Sequence, residues 1–160
     1  MNVNDETKIL SAIDADTLAG IIRAAGCAVT MSERDGRMHL HSASHGVGFQ
    51  VLWGNPAEAG GYADFTLSCA LRVAGGEVPR ALLDGWHRGK RFARVATHGE
   101  LIVLEMDVVL HGGVTQANLA AMLRLWVVMT GEYLLHLRNA VPEAGGAPAG
   151  AGTTDPAAVS

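Results

Sequence analysis

Chemistry in a protein needs side chains that ionise, coordinate or attack, and this chain offers only a few groupings of them. The densest is GWHRGKRFARV, residues 85 to 95, where Arg88, Lys90, Arg91 and Arg94 supply four of the twelve Lys and Arg residues, with Trp86 and Phe92 set among them. Such a run could hold a phosphate backbone by neutralising charge and releasing counterions. His39, His41 and His45 offer imidazoles at spacings a metal ion could use, and Glu105 with Asp107 puts two carboxylates on one strand face, as acid and base catalysis would. Asp107, His111 and Ser44 are the residue types of a nucleophilic triad, and HGG at 111 to 113 has the glycines of an anion-cradling turn.

Weighed singly, these groupings lose most of their force. Metal sites need converging ligands, and seven histidines scattered through 160 residues generate close spacings without purpose. Solvated sheet histidines are therefore expected, and no metal or other cofactor is assigned. Carboxylates two residues apart follow from any exposed strand and define no cleft. No nucleophile elbow fixes Ser44 beside His111, so no catalytic residue is assigned. HGG lacks the length and the lysine of a phosphate-binding loop and reads as a structural turn. Cys27 and Cys69 are far apart without ligand spacing, and two half-buried strand thiols are the expectation.

Composition bounds the rest. A chain of 160 residues with 49% apolar residues suits one compact domain with a substantial core. Only 18% of residues are charged, below the usual quarter, which suggests apolar surface covered by a partner or a second copy. The net charge of -4 disfavours a broad nucleic-acid surface. No apolar run reaches membrane-spanning length, and MNVNDETKILS lacks a basic leader and an apolar signal core, so a cytoplasmic protein is expected.

Periodicity places the elements. Residues 1 to 11 carry no strong period and read as a flexible lead-in to a single domain over 12 to 141. Ile13, Leu18, Ile21, Ile22 and Ala25 mark one face of a helix with Asp14 as N-cap and Gly26 as the stop. Cys27, Val29 and Met31 alternate with polar residues, and Asp35-Gly36 predicts a tight hairpin that sets Arg34 against Arg37 and Met31 against Leu40. Val47, Phe49, Val51 and Trp53 form another inward set. After the loop GNPAEAGG, Phe65, Leu67, Cys69, Leu71 and Val73 form the clearest strand. A short helix follows Pro79, with Leu82, Leu83 and Trp86 on one face.

Two strands are expected near 91 to 98 and 100 to 110, then a long helix capped by Thr115. A turn centred on His98-Gly99 would set Thr97 against Glu100 and Arg94 against Val103, with Glu105 diagonal to Arg94, Phe92 opposite Glu105 and Lys90 opposite Asp107. Two acids thus reach two of the four basic groups, leaving Arg88 and Arg91 for a small anion or an acidic partner segment. The last helix carries an apolar stripe through Leu119, Leu123, Trp126 and Tyr133. Leu125, Val128, Met129 and Leu135 broaden it beyond what one sheet needs. Either a homodimer or partner groove involving Leu125 and Met129, or burial on two sides by the chain's own fold, accounts for that breadth. From Pro142 the chain is rich in Ala, Gly and Pro and reads as a disordered tail over 142 to 160.

The order GWHRGKRFARV, LEMDVVLHGGV, long apolar helix, preceded by GCAV, GFQVLWG and YADFTLSCALRV, resembles the YbjN family of bacterial sensory-transduction regulators over residues 14 to 137. That resemblance implies an α+β fold of helix, antiparallel strands, helix, two further strands and a long C-terminal helix, similar to type III secretion chaperones. It implies a binding or regulatory role in signalling or stress, through an unidentified protein partner, with no catalytic set. It also implies architectural roles for Trp86, Phe92, Arg94, Asp107, Gly112 and Gly113. An extended segment captured along an edge strand, as a secretion chaperone would do it, is the alternative function.

Overall fold

The computed structural model describes residues 3–140, and the expectation of a disordered tail over 142 to 160 lies outside the described residues. After a helical turn α1 (Val3–Glu6) and a short strand β1 (Ile9–Leu10) comes helix α2 (Ala15–Ala24). Strands β2 (Val29–Arg34), β3 (Arg37–Ser44), β4 (Val47–Trp53) and β5 (Asp64–Arg72) follow, then helix α3 (Arg80–Gly89). Strands β6 (Arg94–His98), β7 (Leu101–Val109) and β8 (Val114–Thr115) lead into the long helix α4 (Gln116–Ala140). Six strands form one antiparallel sheet in the order β2-β3-β4-β5-β7-β6. The expected succession of helix, antiparallel strands, helix, two strands and final helix is therefore present.

Local chemistry explains the element ends. The Asp14 side chain accepts from the Thr17 N–H at 2.8 Å and begins α2. At its other end Gly26, with φ +88, turns the chain, so that its N–H reaches the Arg23 carbonyl at 2.9 Å and that of Cys27 reaches Ile22 at 3.3 Å. These two bonds are a Schellman stop, and a left-handed residue is what makes room for it. Asp35 and Gly36 both have positive φ, which matches the twist of the β2–β3 hairpin and fixes Arg34 opposite Arg37 and Met31 opposite Leu40. Thr115 Oγ1 accepts from the Asn118 N–H at 3.0 Å and caps α4.

The core lies between one sheet face and the helices. Leu40, Phe49, Val51, Phe65, Leu67, Cys69, Leu104 and Met106 point inward from the strands against Leu18 and Ile22 of α2, Trp86 of α3, and Leu123, Trp126 and Tyr133 of α4. Trp126 meets Phe49 edge to face at 5.6 Å, and Trp86 meets Tyr133 in the same way at 6.0 Å. The opposite sheet face is turned to solvent, with Thr30, Arg37, His41, Gly48, Leu52 and Asp107 all exposed.

Three expectations are corrected. The expected lead-in over 1 to 11 is paired at its end: Ile9 pairs with Thr115 and Leu10 with Val114, and just beyond it Ile13 exchanges two 2.9 Å backbone bonds with Tyr62. A two-residue strand is too short to show a side-chain period, so its backbone pairing leaves no trace in the pattern. The β6–β7 turn is centred on Gly99-Glu100, which slides the register by two residues and sets Arg94 directly opposite Glu105. A two-residue slip preserves the faces and changes only the partners. Finally, both cysteines are buried, Cys69 completely, and burial pushes the Cys69 thiol up to about 11.

Candidate functional site

The stretch from 85 to 95 turns a helix into an edge strand, and two successive residues of α3 hold that corner. Trp86 is completely buried, and its indole N–H donates to the Ala93 carbonyl at 2.9 Å. The next residue, His87, accepts the Val95 N–H on its Nε2 at 3.1 Å. This bond requires a bare Nε2, so the His87 proton sits on Nδ1. Residues 93 to 95 are thereby pinned, and the connection through residues 90 to 92 must bulge outward.

Phe92 forms the tip of that bulge. Its φ is +74, a conformation that bulky side chains rarely adopt, and it is 61% exposed. The Arg91 guanidinium carbon lies 4.9 Å from the Phe92 ring centroid, close enough for cation–π attraction. Arg88 and Arg91 are exposed, and neither has an ion-pair partner among the described residues. Phe92 thus stands outside the core, on the side where sequence alternation placed it, but the left-handed backbone that carries it was not legible in the sequence. Positive φ on a non-glycine residue leaves no mark in hydrophobic patterning.

The remaining cations are answered within the protein. Arg94 reaches both Glu105 and Asp107, and Thr66 Oγ1 donates to Asp107 at 2.6 Å. The Arg94 hydrogen bond holds the Asp107 carboxyl below its ordinary range, and Asp107 in turn raises the guanidinium. Lys90 pairs with Glu132 of α4, not with Asp107 as the expected register implied, because the chain joins the sheet only at Arg94. Gly112 and Gly113, with φ +89 and +95, form the turn before β8, and a Cβ on Gly113 would lie 2.8 Å from Ile9.

On α4 the chain's own fold takes up part of the broad apolar stripe: Met129 is buried at 9% exposure and Leu125 is half-buried against the core, whereas Val128 and Leu135 are exposed.

The other groupings do not assemble. His39 and His41 lie on the solvent face, whereas His45 turns to α4 and donates its Nε2–H to the Val127 carbonyl at 2.9 Å. Among the described residues no three His, Cys, Asp or Glu side chains gather as a metal would require. Ser44 points inward from β3 and is buried, Asp107 lies on the outer face, and His111 is exposed in a turn.

Comparison with known families decides the relationship. The YbjN family model, described as "Putative bacterial sensory transduction regulator", matches residues 14–139. The chain belongs to the YbjN family. No curated protein matches it. The YbjN match begins at the Asp14 helix cap and runs almost to the end of α4, so it takes in the whole sheet and the corner at Phe92. No helix among the described residues is long and apolar enough to cross a membrane.

Proposed function

We propose that this YbjN-family chain is a non-enzymatic, cytoplasmic regulator in bacterial sensory transduction or stress response, acting through a protein partner that docks on Arg88, Arg91 and Phe92. The observation that carries this reading is Phe92 itself, an aromatic ring 61% exposed on a left-handed backbone with a guanidinium against it. Strained conformations of this kind cost on the order of 1–3 kcal/mol and persist where the surroundings impose them, often at binding sites. Aromatic and arginine side chains are also the usual anchors of protein interfaces. The regulatory description of the family supports the same role. Native pull-down with mass spectrometry tests it: wild-type protein should enrich one or a few folded signalling proteins, and Phe92→Gly and Arg88→Ala/Arg91→Ala should lose them. Equal recovery by folded variants would move the contact elsewhere.

A second reading is a secretion-chaperone-like protein that holds an extended segment, and the free edge of β2 favours it. The Arg34–Arg37 pair closes a two-residue turn, so it is a hydrogen-bonded pair, as are Ser32–His39 and Thr30–His41. The backbone groups of Val29, Met31 and Glu33 therefore face outward, and they make no backbone bond outside the sheet among the described residues. Strand addition at such an edge is a common recognition mode. Glu33→Pro separates the two readings, since it removes one outward N–H that the fold does not use. Loss of an unfolded export substrate with retained fold would favour the chaperone reading.

A further inference from the structure

The solvent face of the sheet carries charges sorted by strand. On β2 and β3 it presents Arg34, Arg37, His39 and His41 with no carboxylate, and neither arginine has an ion-pair partner among the described residues. On β5 and β7 it presents Asp64, Glu105 and Asp107, against which only Arg94 reaches across from β6. Arg72, at the far end, pairs with Glu100. One half of the face is thus cationic and the other retains excess negative charge.

We propose that a second copy of this chain stacks on this face, about a two-fold axis running parallel to the strands between β4 and β5. Such an axis exchanges β3 with β7, β4 with β5 and β2 with β6, and it preserves position along the strands. The register aligns Thr30, His41, Gln50, Ser68, Glu105 and Arg94 in one row across the sheet. A neighbouring row contains Leu52, Thr66 and Asp107, and His39 lies two residues along β3 from His41 on the same face. In the stack His41 faces the partner's Glu105 and His39 faces the partner's Asp107, while Gln50 lies over the partner's Ser68, which is itself only 4% exposed. Each contact occurs twice, which is the self-complementarity a two-fold interface requires.

Shape supports the same arrangement. Ala43, Gly48 and Ala70 are small and exposed beside the central row, and a Cβ on Gly48 would meet nothing closer than 3.8 Å, so a facing sheet can approach. Leu52 and Val109, 40% and 58% exposed on this face, would leave water. Six strands about 4.8 Å apart and roughly five residues long project only on the order of 400–500 Å². Standard stable interfaces bury about 800 Å² per partner, so this association should be reversible and salt-sensitive.

Sedimentation velocity on the full chain, across micromolar to submillimolar concentrations at low and high salt, tests the proposal. The expected result is a monomer–dimer equilibrium that salt weakens. His39→Glu/His41→Glu sets carboxylates against carboxylates and should weaken self-association at least tenfold, with a melting curve confirming the fold. Arg37→Glu is the second disrupting variant, whereas Val128→Glu/Leu135→Glu on α4 should change nothing. A monomer at every concentration in low salt would overturn the proposal. So would a dimer that ignores salt and the sheet substitutions, or one that the α4 substitutions dissolve. Because none of these substitutions touches Phe92, loss of the dimer and loss of the regulatory partner are separately readable.

Discussion

Phe92 holds a backbone conformation that glycine would occupy without steric cost. Replacing it should therefore separate stability from binding: Phe92→Gly is expected to leave the melting temperature unchanged or raise it, with a gain of up to about 1 kcal/mol, while partner capture is lost. A large drop in melting temperature would show instead that the ring supports the fold. Asp107 makes a second residue-scale prediction. Its folded carboxyl is held below the ordinary value by Arg94, so it contributes stability above the unfolded carboxylate range, and that contribution is lost as pH falls through the folded value. Asp14, held down by the Thr17 N–H, acts in the same direction. Unfolding followed below about pH 4 should show Asp107→Asn less acid-sensitive than wild type though weaker at neutral pH. Identical pH slopes would remove Asp107 from the account. The residue types of this network and Glu105 as a neighbour of Arg94 were legible in the sequence; Asp107 as the partner of Arg94 was not, because hydrophobic alternation fixes a face and leaves the register free by steps of two.

At the scale of elements, helices and strands are joined by contacts that pair a histidine with a glycine. The His45 ring lies where a Cβ on Gly131 of α4 would meet it at 3.1 Å, and His136 of α4 lies 3.4 Å from the corresponding point on Gly85 of α3 while donating to the Leu82 carbonyl at 2.8 Å. At Gly85 a Cβ would only touch His136, so that contact is looser than the one at Gly131. A double-mutant cycle checks this directly: Gly131→Ala should destabilise wild type, through crowding, and stabilise a His45→Ala background by up to about 1 kcal/mol from helix propensity. The same sign in both backgrounds would mean that the His45 contact is not what limits position 131. Deleting residues 1 to 11 should also lower stability, because β1 supplies the partner of β8 just before α4. Each net backbone bond contributes about 0.5–1.5 kcal/mol, so a measurable shift in denaturant midpoint is expected, whereas a dispensable lead-in would give none.

For the whole molecule, α4 packs its buried residues against the inner face of the sheet. Trp126 is fully buried against Phe49, and Trp126→Ala should cost about 3–5 kcal/mol, read as loss of the cooperative unfolding transition or a large fall in midpoint. Amide exchange should be slowest in β5 and β7, which lie inside the sheet with neighbours on both sides, and faster along the β2 edge. What the sequence determined by itself was everything carried by local periodicity and local caps: the inward faces of the strands, the Asp35-Gly36 hairpin and its register, the Asp14 and Thr115 caps, and the glycine stop after α2. These depend on near neighbours and on the two periods of the backbone. Tertiary structure alone decided the pairing of Ile9 and Leu10 with β8, the partner of Lys90, the burial of Met129, and the left-handed backbone at Phe92. Each of these depends on which distant element arrives beside a residue, and side-chain pattern along one segment contains no record of that arrival. The charge-sorted outer face belongs to both: alternation placed its residues outward, but only the strand order β2-β3-β4-β5-β7-β6 gathered the cations at one side and the acids at the other.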